Sequence, residues 1–295
     1  MPNRGLPAST DRPGRARLAG ATRLSRRALL RALAVAGVGA ATGAAGYGFL
    51  YERHHLDVTR TDVPVSGLPD ALDGLRLALV TDTHFSSTVP AADIERAVRA
   101  ALDAVPDIVV LGGDYVTWGD RAYVSGAAEL LAPLRAPHGV FAVLGNHDDD
   151  RDMPAALTAK GFTVLKDART RIVVHGEPLD VAGVRFWTRR VDRVAAVLRG
   201  ATATTILLAH DPSRLREAAS LNVPLVLSGH THGGQIVLPV AGALAARGFP
   251  VVSGYGRREN TSIYVSRGVG TVYVPLRLNC PPEVAILTLK RQASF

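Results

Sequence analysis

Two aspartates, an asparagine and five histidines stand at the ends of short apolar runs in this chain, an inventory that suits paired metal ions. They fall in Asp82-Thr83-His84, Gly113-Asp114, Gly145-Asn146-His147-Asp148, Ala209-His210-Asp211 and Gly229-His230-Thr231-His232. Asp-x-His at a strand end puts two ligands of different hardness on one side of a turn. Asp114, behind two glycines, can approach closely enough for its carboxylate to bridge two cations. Asn146 offers a neutral amide oxygen. His230 and His232, two residues apart in an extended segment, point the same way, and Gly233-Gly234 lets the chain turn tightly afterwards. Oxygen and imidazole ligands without thiolate suit Mn, Fe or Zn better than Ca or copper(I). Two such ions roughly 3.5–4 Å apart clamp a phosphoryl group and activate a water between them.

The elements that must position these residues are strands. Leu75–Thr81, Ile108–Leu111, Val140–Leu144, Thr205–Leu208 and Pro224–Leu227 read as strands buried on both faces, and ligands in open α/β sheets gather at the carboxyl ends of such strands. An entry strand is expected in His54–Val65, short strands at Thr163–Leu165 and Thr271–Tyr273, and a hairpin from Arg171–Val174 and Leu179–Val184. Further strands are expected at Gln235–Leu238, Ser262–Ser266 and Val284–Leu289. Helical spacing predicts helices over Pro90–Ala104, Arg121–Leu134, Met153–Lys160, Val191–Leu198 and Pro212–Ala219. Alternating β and α units that give way to hairpins predict an α/β fold of two packed mixed sheets with helices outside.

In their order and spacing the five stretches resemble the calcineurin-like metallophosphoesterases, whose pattern is D-x-H, G-D, G-N-H-[DE], a lone H, and G-H-x-H. The resemblance runs from about Leu75 to Leu289. The run Gly229–Gln235, with Pro275-Leu276-Arg277 and Pro281-Pro282-Glu283, looks like the bacterial, membrane-associated branch. The resemblance implies a four-layer α/β/β/α sandwich. It implies one metal held by Asp82, His84 and His232, another by Asn146, His210 and His230, and Asp114 bridging both. His147 would stabilise the transition state or protonate the leaving oxygen, with Asp148 orienting its imidazole. A metal-bound hydroxide would attack phosphorus in line with the departing alkoxide, on phosphate mono- or diesters. A pyrophosphatase acting on lipid- or nucleotide-linked diphosphates would use the same residues. A metal-binding cell-envelope module without turnover is the alternative from another class, and the intact His147 speaks against it.

The remaining acids and histidines have blander readings. Asp148 and Asp211 sit where acids cap helices, as do Asp149 and Asp150. His54, His55, His138 and His175 read as solvated side chains, and Cys280 as a small buried apolar residue. Trp118, Trp187, Arg189, Arg190, Tyr255, Arg257 and Arg258 fall in loop-like segments that can reach a substrate.

The net charge of +8 invites a nucleic-acid partner, but residues 1–31 hold eight Arg against one acid, Asp11, and the rest of the chain is close to neutral at +1. Total charge therefore gives no support to a groove for phosphate backbones. A lone cysteine excludes an internal disulfide and a cysteine zinc cluster. Ser25-Arg26-Arg27-Ala28-Leu29-Leu30-Arg31 precedes Ala32–Tyr51, twenty residues without a charge. This resembles a twin-arginine export signal, departing from the pattern at Ala28-Leu29. Twelve of the twenty are Ala or Gly, so the segment is long enough to span a bilayer yet weakly apolar. The expected organisation is a signal or membrane anchor over 1–51 and a phosphoesterase domain over 52–295. The expected partners are the twin-arginine machinery, a membrane surface and a phosphoester substrate. The expected location is the cell envelope, outside the cytoplasm.

Overall fold

The structure, a computed structural model, describes residues 25–292. The Arg-rich stretch before Ser25, with Arg4, Arg12, Arg15, Arg17 and Arg23, lies outside the described residues. The first helix, α1 (Arg26–Leu50), begins at the arginine pair of the export-like motif and is long and apolar enough to cross a membrane. The chain divides into Met1–Thr42 and Gly43–Phe295, and the second unit carries every strand among the described residues.

In that unit β1 (Asp57–Val65) leads to β2 (Arg76–Val80), α2 (Ala91–Asp103), β3 (Ile108–Leu111) and α3 (Val124–Leu131). Next come β4 (Val140–Ala142), α4 (Asp152–Ala159), β5 (Thr163–Val164), β6 (Ala168–Val174) and β7 (Glu177–Val184). They are followed by α5 (Val191–Leu198), β8 (Thr204–Ala209), α6 (Leu215–Ser220) and β9 (Leu225–Ser228). The last third holds the two-residue pair β10 (Val237–Leu238) and β11 (Gly242–Ala243), then β12 (Gly254–Arg258), β13 (Thr261–Val265) and β14 (Glu283–Arg291).

Two six-stranded sheets result, ordered β1-β14-β2-β3-β4-β5 and β12-β13-β9-β8-β7-β6. In each, four neighbouring strands run parallel and an antiparallel partner joins on one or both sides. Both sheets are therefore mixed. Their facing sides share one core, in which Leu77, Leu79 and Val110 of the first meet Val181, Leu208 and Leu227 of the second. Helices α2, α3 and α4 cover the outer face of the first sheet through Ile94, Val98, Leu131 and Leu157. Helices α5 and α6 cover the second through Val194, Leu215 and Ala218. This is the four-layer α/β/β/α arrangement. Because β2, β3, β8 and β9 are buried on both faces, their runs carry no polar alternation.

Several elements differ from expectation, among them the following. The segment 271–273 forms no strand: Tyr273 is left-handed at φ 61°. The Gln235 side-chain amide takes the place of a neighbouring strand, donating to the Val272 and Val274 carbonyls and accepting from Val272 N–H. The helix expected over Arg121–Leu134 starts as a 3-10 turn, Arg121–Tyr123, capped by the Asp120 carboxylate. The strand β12 was absent from the expectation because Gly254, Gly256, Arg257 and Arg258 give it no apolar run.

Candidate metal centre

The ligand-bearing turns follow β2, β3, β4, β8 and β9, and they converge. Asp82, His84 and His232 bring ligand atoms within 4.8 Å of one another, and so do Asp114, His210 and His230. The groups adjoin through Asp114, whose Oδ2 lies 3.1 Å from His210 Nε2 and 3.6 Å from His84 Nε2. Within the first group the Nε2 atoms of His84 and His232 face each other at 3.1 Å, and Asp82 Oδ1 is 3.5 Å from His232 Nε2.

The backbone is bent to aim these side chains. Asp82, His84, Asp114, His230 and His232 all have positive φ, between 46° and 73°. A side-chain-bearing residue in this region costs on the order of 1–3 kcal/mol and persists only where surroundings over-determine it. Here they do. Asp82 accepts from His230 N–H at 3.0 Å and from Thr81 Oγ1 at 2.7 Å. Asp114 Oδ1 accepts from His147 N–H at 2.8 Å, which leaves Oδ2 for the shared position between the groups. Two close approaches require glycine. A Cβ on Gly145 would land on the Asp114 carboxylate, and one on Gly229 would land on Asp82 and Thr81.

The donor set fits a pair of cations. Among the described residues, Asn146 Oδ1 and His210 Nε2 are buried without any hydrogen-bond partner, although Asp114 Oδ2 crowds the latter. His210 Nδ1 donates to the Gly112 carbonyl at 2.8 Å, so in the neutral ring Nε2 is the lone pair turned to the cluster. Burial lowers His84 to about 3 and His230 to about 4, and pushes His232 well below its ordinary value. These rings are neutral and free to ligate. Burial also opposes charge on His210, but Asp114 and Asp82 outweigh it and raise the ring to about 10. Asp114 is correspondingly held far below the usual carboxylate range despite its burial. A proton on His210 thus serves the carboxylates that a divalent cation would serve in its place.

His147 borders this cluster, its ring 5.0 Å from that of His84. Its Nδ1 accepts from the Trp118 backbone N–H at 3.1 Å. That bond fixes the proton of the neutral ring on Nε2 and disfavours imidazolium, a direction that burial reinforces. Asp148 does not orient this imidazole. Its carboxylate accepts instead from the amides of Asp114 at 2.8 Å, Tyr115 at 2.7 Å and Gly145 at 2.9 Å. The reason is local: two turns that point carboxylate and amide groups at a cluster leave their own N–H groups unpaired, and Asp148 satisfies them together.

The other acids behave as caps or surface partners. Asp211 accepts from Ser213 N–H and Asp149 from Asp152 N–H, whereas Asp150 caps nothing and pairs with Lys166. His54 is half-buried and paired with Asp93 at 2.6 Å, in contrast with its solvated reading. Cys280 is buried, as expected. Sequence reasoning quoted Arg277 only as part of a motif and gave it no role; it is fully buried and donates to the carbonyls of Arg267, Gly268, Gly270 and Cys280. Phe186, packed against the rings of His210 and His230, was missed altogether.

A cavity of about 420 Å³ opens on Asp114, Asn146, His147, His230 and His232. Its remaining lining comes from residues 231–249 and 272–274.

A family model for calcineurin-like phosphoesterases matches residues 75–234, and the chain belongs to that family. It is 31% identical over 281 residues to metallophosphoesterase YkuE of Bacillus subtilis (strain 168), spanning 91% of this chain and 98% of the relative. It is 32% identical to phosphodiesterase YaeI of Escherichia coli (strain K12), over 72% of this chain and 82% of that protein. A transmembrane protein with a metallophosphoesterase domain from Danio rerio is 31% identical over 83% of this chain, which spans 60% of it. Fold, family and ligand clusters together define a metal-dependent phosphoester hydrolase with a dinuclear centre.

Proposed function

We propose that this chain hydrolyses phosphodiesters at the outer side of a membrane, with Asp82, His84 and His232 holding one ion, Asn146, His210 and His230 the other, and Asp114 between them. The observation that carries this reading is the shared position of Asp114 Oδ2 between two candidate ligand groups, buried except for the half-buried His230. Bound there, the ions would supply Lewis acidity and a more acidic water.

The chain's own residues orient and donate. Hydrolysis joins a water oxygen to phosphorus and breaks one P–O bond, the departing oxygen leaving with the bonding pair. His147 Nε2–H is placed to donate a hydrogen bond to phosphoryl or departing oxygen. With Nδ1 already accepting from Trp118 N–H, the ring acts as a fixed neutral donor and not as a cationic acid. A diester is preferred because the cavity beside the centre gives a second ester substituent somewhere to go. The E. coli relative, named a phosphodiesterase, points the same way. A diphosphate substrate is less well served, since among the described residues no Arg or Lys lines the cavity to take a second phosphate.

Location rests on α1 and on the arginine pair at its start. A protein that must carry metal into the envelope benefits from a route that exports folded chains. The Danio rerio relative, named a transmembrane protein, supports membrane association.

The test is to load the full chain with Mn²⁺ and compare bis(4-nitrophenyl) phosphate with 4-nitrophenyl phosphate, measuring metal content alongside. Turnover of the diester at two metals per chain is expected. A fully metallated protein that cleaves neither ester would overturn the phosphodiesterase reading, leaving a diphosphate substrate or a binding module. For export, replacing Arg26 and Arg27 together by Lys is expected to keep the protein in the cytoplasm, and unchanged envelope fractionation would remove the twin-arginine assignment.

A further inference from the structure

We propose that the substrate is the phosphodiester of an amphiphile presented from a lipid surface, its hydrocarbon chain lying in the cavity beside the metal centre. This rests on the phosphodiesterase reading and names its substrate class. The cavity lining divides sharply by chemistry. Next to the metal-centre side chains it is made of Ile236, Leu238, Leu244, Phe249, Val272 and Val274.

Of the three other polar side chains in the lining, Tyr273 stands at the exposed mouth, and the two deeper ones, Gln235 and Thr231, are already engaged. Gln235 spends both ends of its amide on the backbone of Val272 and Val274. Thr231 donates to the Val252 carbonyl and accepts from Gly233 N–H. A sugar, base or peptide attached to the phosphate would bury its own polar groups against that wall with only the Tyr273 hydroxyl at the mouth to answer them. A hydrocarbon chain has no such cost.

The mouth carries the same character outward. Leu244 is 47% exposed, Val274 52% and the Tyr273 ring 77%. Apolar side chains left in solvent around the entrance of a cavity mark a surface that meets another apolar phase. The end of α1 sits next to this rim in the chain's second unit. Arg277 N–H donates to the Gly48 carbonyl, and Leu276 packs against Gly48, only a few residues after the rim residues Tyr273 and Val274. Within the second unit, the last turn of α1 thus touches the segment that follows the entrance residues.

The experiment uses the full chain loaded with Mn²⁺ at one fixed detergent concentration. Its substrates are 4-nitrophenyl alkyl phosphates from ethyl to octyl, kept below their micelle concentrations. Each methylene that leaves water contributes up to about fourfold, so kcat/KM is expected to rise at least ~10-fold across the series. Leu244→Ser and Val274→Ser, at exposed positions, are each expected to flatten that rise within their own series. A series that is flat in the wild type while the ethyl ester is cleaved overturns the proposal and leaves the phosphodiesterase reading intact. A rise that both variants keep unchanged also overturns it, because the chain then binds elsewhere. No cleavage of any ester in the metallated protein removes the reading beneath it as well.

Discussion

On one side of the cavity Asp82, Asp114, His210 and His232 are buried, and the two carboxylates are fastened to neighbouring backbone amides. On the other, Leu238, Leu244, Tyr273 and Val274 each leave more than a third of their surface in solvent. The first wall is assembled from five strand ends of two sheets; the second comes from the short strand β10 and from turns and loops between β9 and β14. A group that must hold cations at fixed separations needs ligands whose positions are over-determined, so positive-φ turns and shared carboxylates concentrate there. A surface that admits hydrocarbon needs only to be apolar and free of unanswered polar groups. The difference teaches that position is fixed by one wall and selectivity by the other.

If that division is right, damage to the first wall should be indifferent to substrate. Asp114→Asn removes the charge that both ligand groups share. Metal content is expected to fall below two ions per chain, and activity to fall beyond the roughly 10²–10³ that a single transition-state donor commands. Elemental analysis checks the first and diester turnover the second. Unchanged occupancy would show that Asp114 does not serve both sites. His147→Ala should lower kcat by about 10² with both ions retained. Loss of metal from this variant would move His147 into the ligand set.

The two walls were also unequally legible. Every residue of the two candidate ligand groups is named from the sequence, because the family pattern and metal chemistry restrict their types and because fully buried strands announce their own ends. The strand ends of β2, β3, β8 and β9 fell within a residue or two of expectation. The rim was not legible. Val272 reads as a strand residue, and only the folded chain brings the Gln235 amide onto the backbone of Val272 and Val274. Asp148 was ambiguous for a different reason. A carboxylate beside a histidine can serve a ring or a turn, and the choice depends on amides more than thirty positions upstream. His54 likewise finds Asp93 only through tertiary packing.

Asp148 offers a sharper cut. Its carboxylate ties the turn after β3, which carries Asp114, to the turn after β4, which carries Asn146 and His147. Asp148→Asn keeps one acceptor oxygen and loses the other, so metal affinity is expected to weaken by about 10–100-fold, as for other partners that orient ligands. Excess Mn²⁺ should recover most of the turnover. A pH–rate profile unlike that of the wild type at saturating metal would instead restore Asp148 to the service of His147.

The smallest effect belongs to a charge that touches neither wall. Asp180 on β7 is fully buried and accepts from Arg169 at 2.6 Å and from Arg171 at 2.9 Å. Burial pushes its carboxyl up, but the hydrogen bonds from Arg171 and Arg169 outweigh burial and hold it below the usual value. Because the folded state binds this proton less readily than the unfolded chain, the pair stabilises above the unfolded carboxylate range. That contribution is lost as pH falls through the lower folded value. With Arg171 41% exposed and screened, the contribution is about 1 kcal/mol, or some 2–4 °C in Tm. Asp180→Asn is therefore expected to lower Tm by that amount at neutral pH. The gap should close below the ordinary carboxylate range, with metal content and chain-length dependence unchanged. A gap that persists undiminished in acid would mean that the substitution acts through packing and not through lost charge. A change in metal content would mean that the second sheet transmits strain to the ligand turns, and the separation of the two walls would then be incomplete.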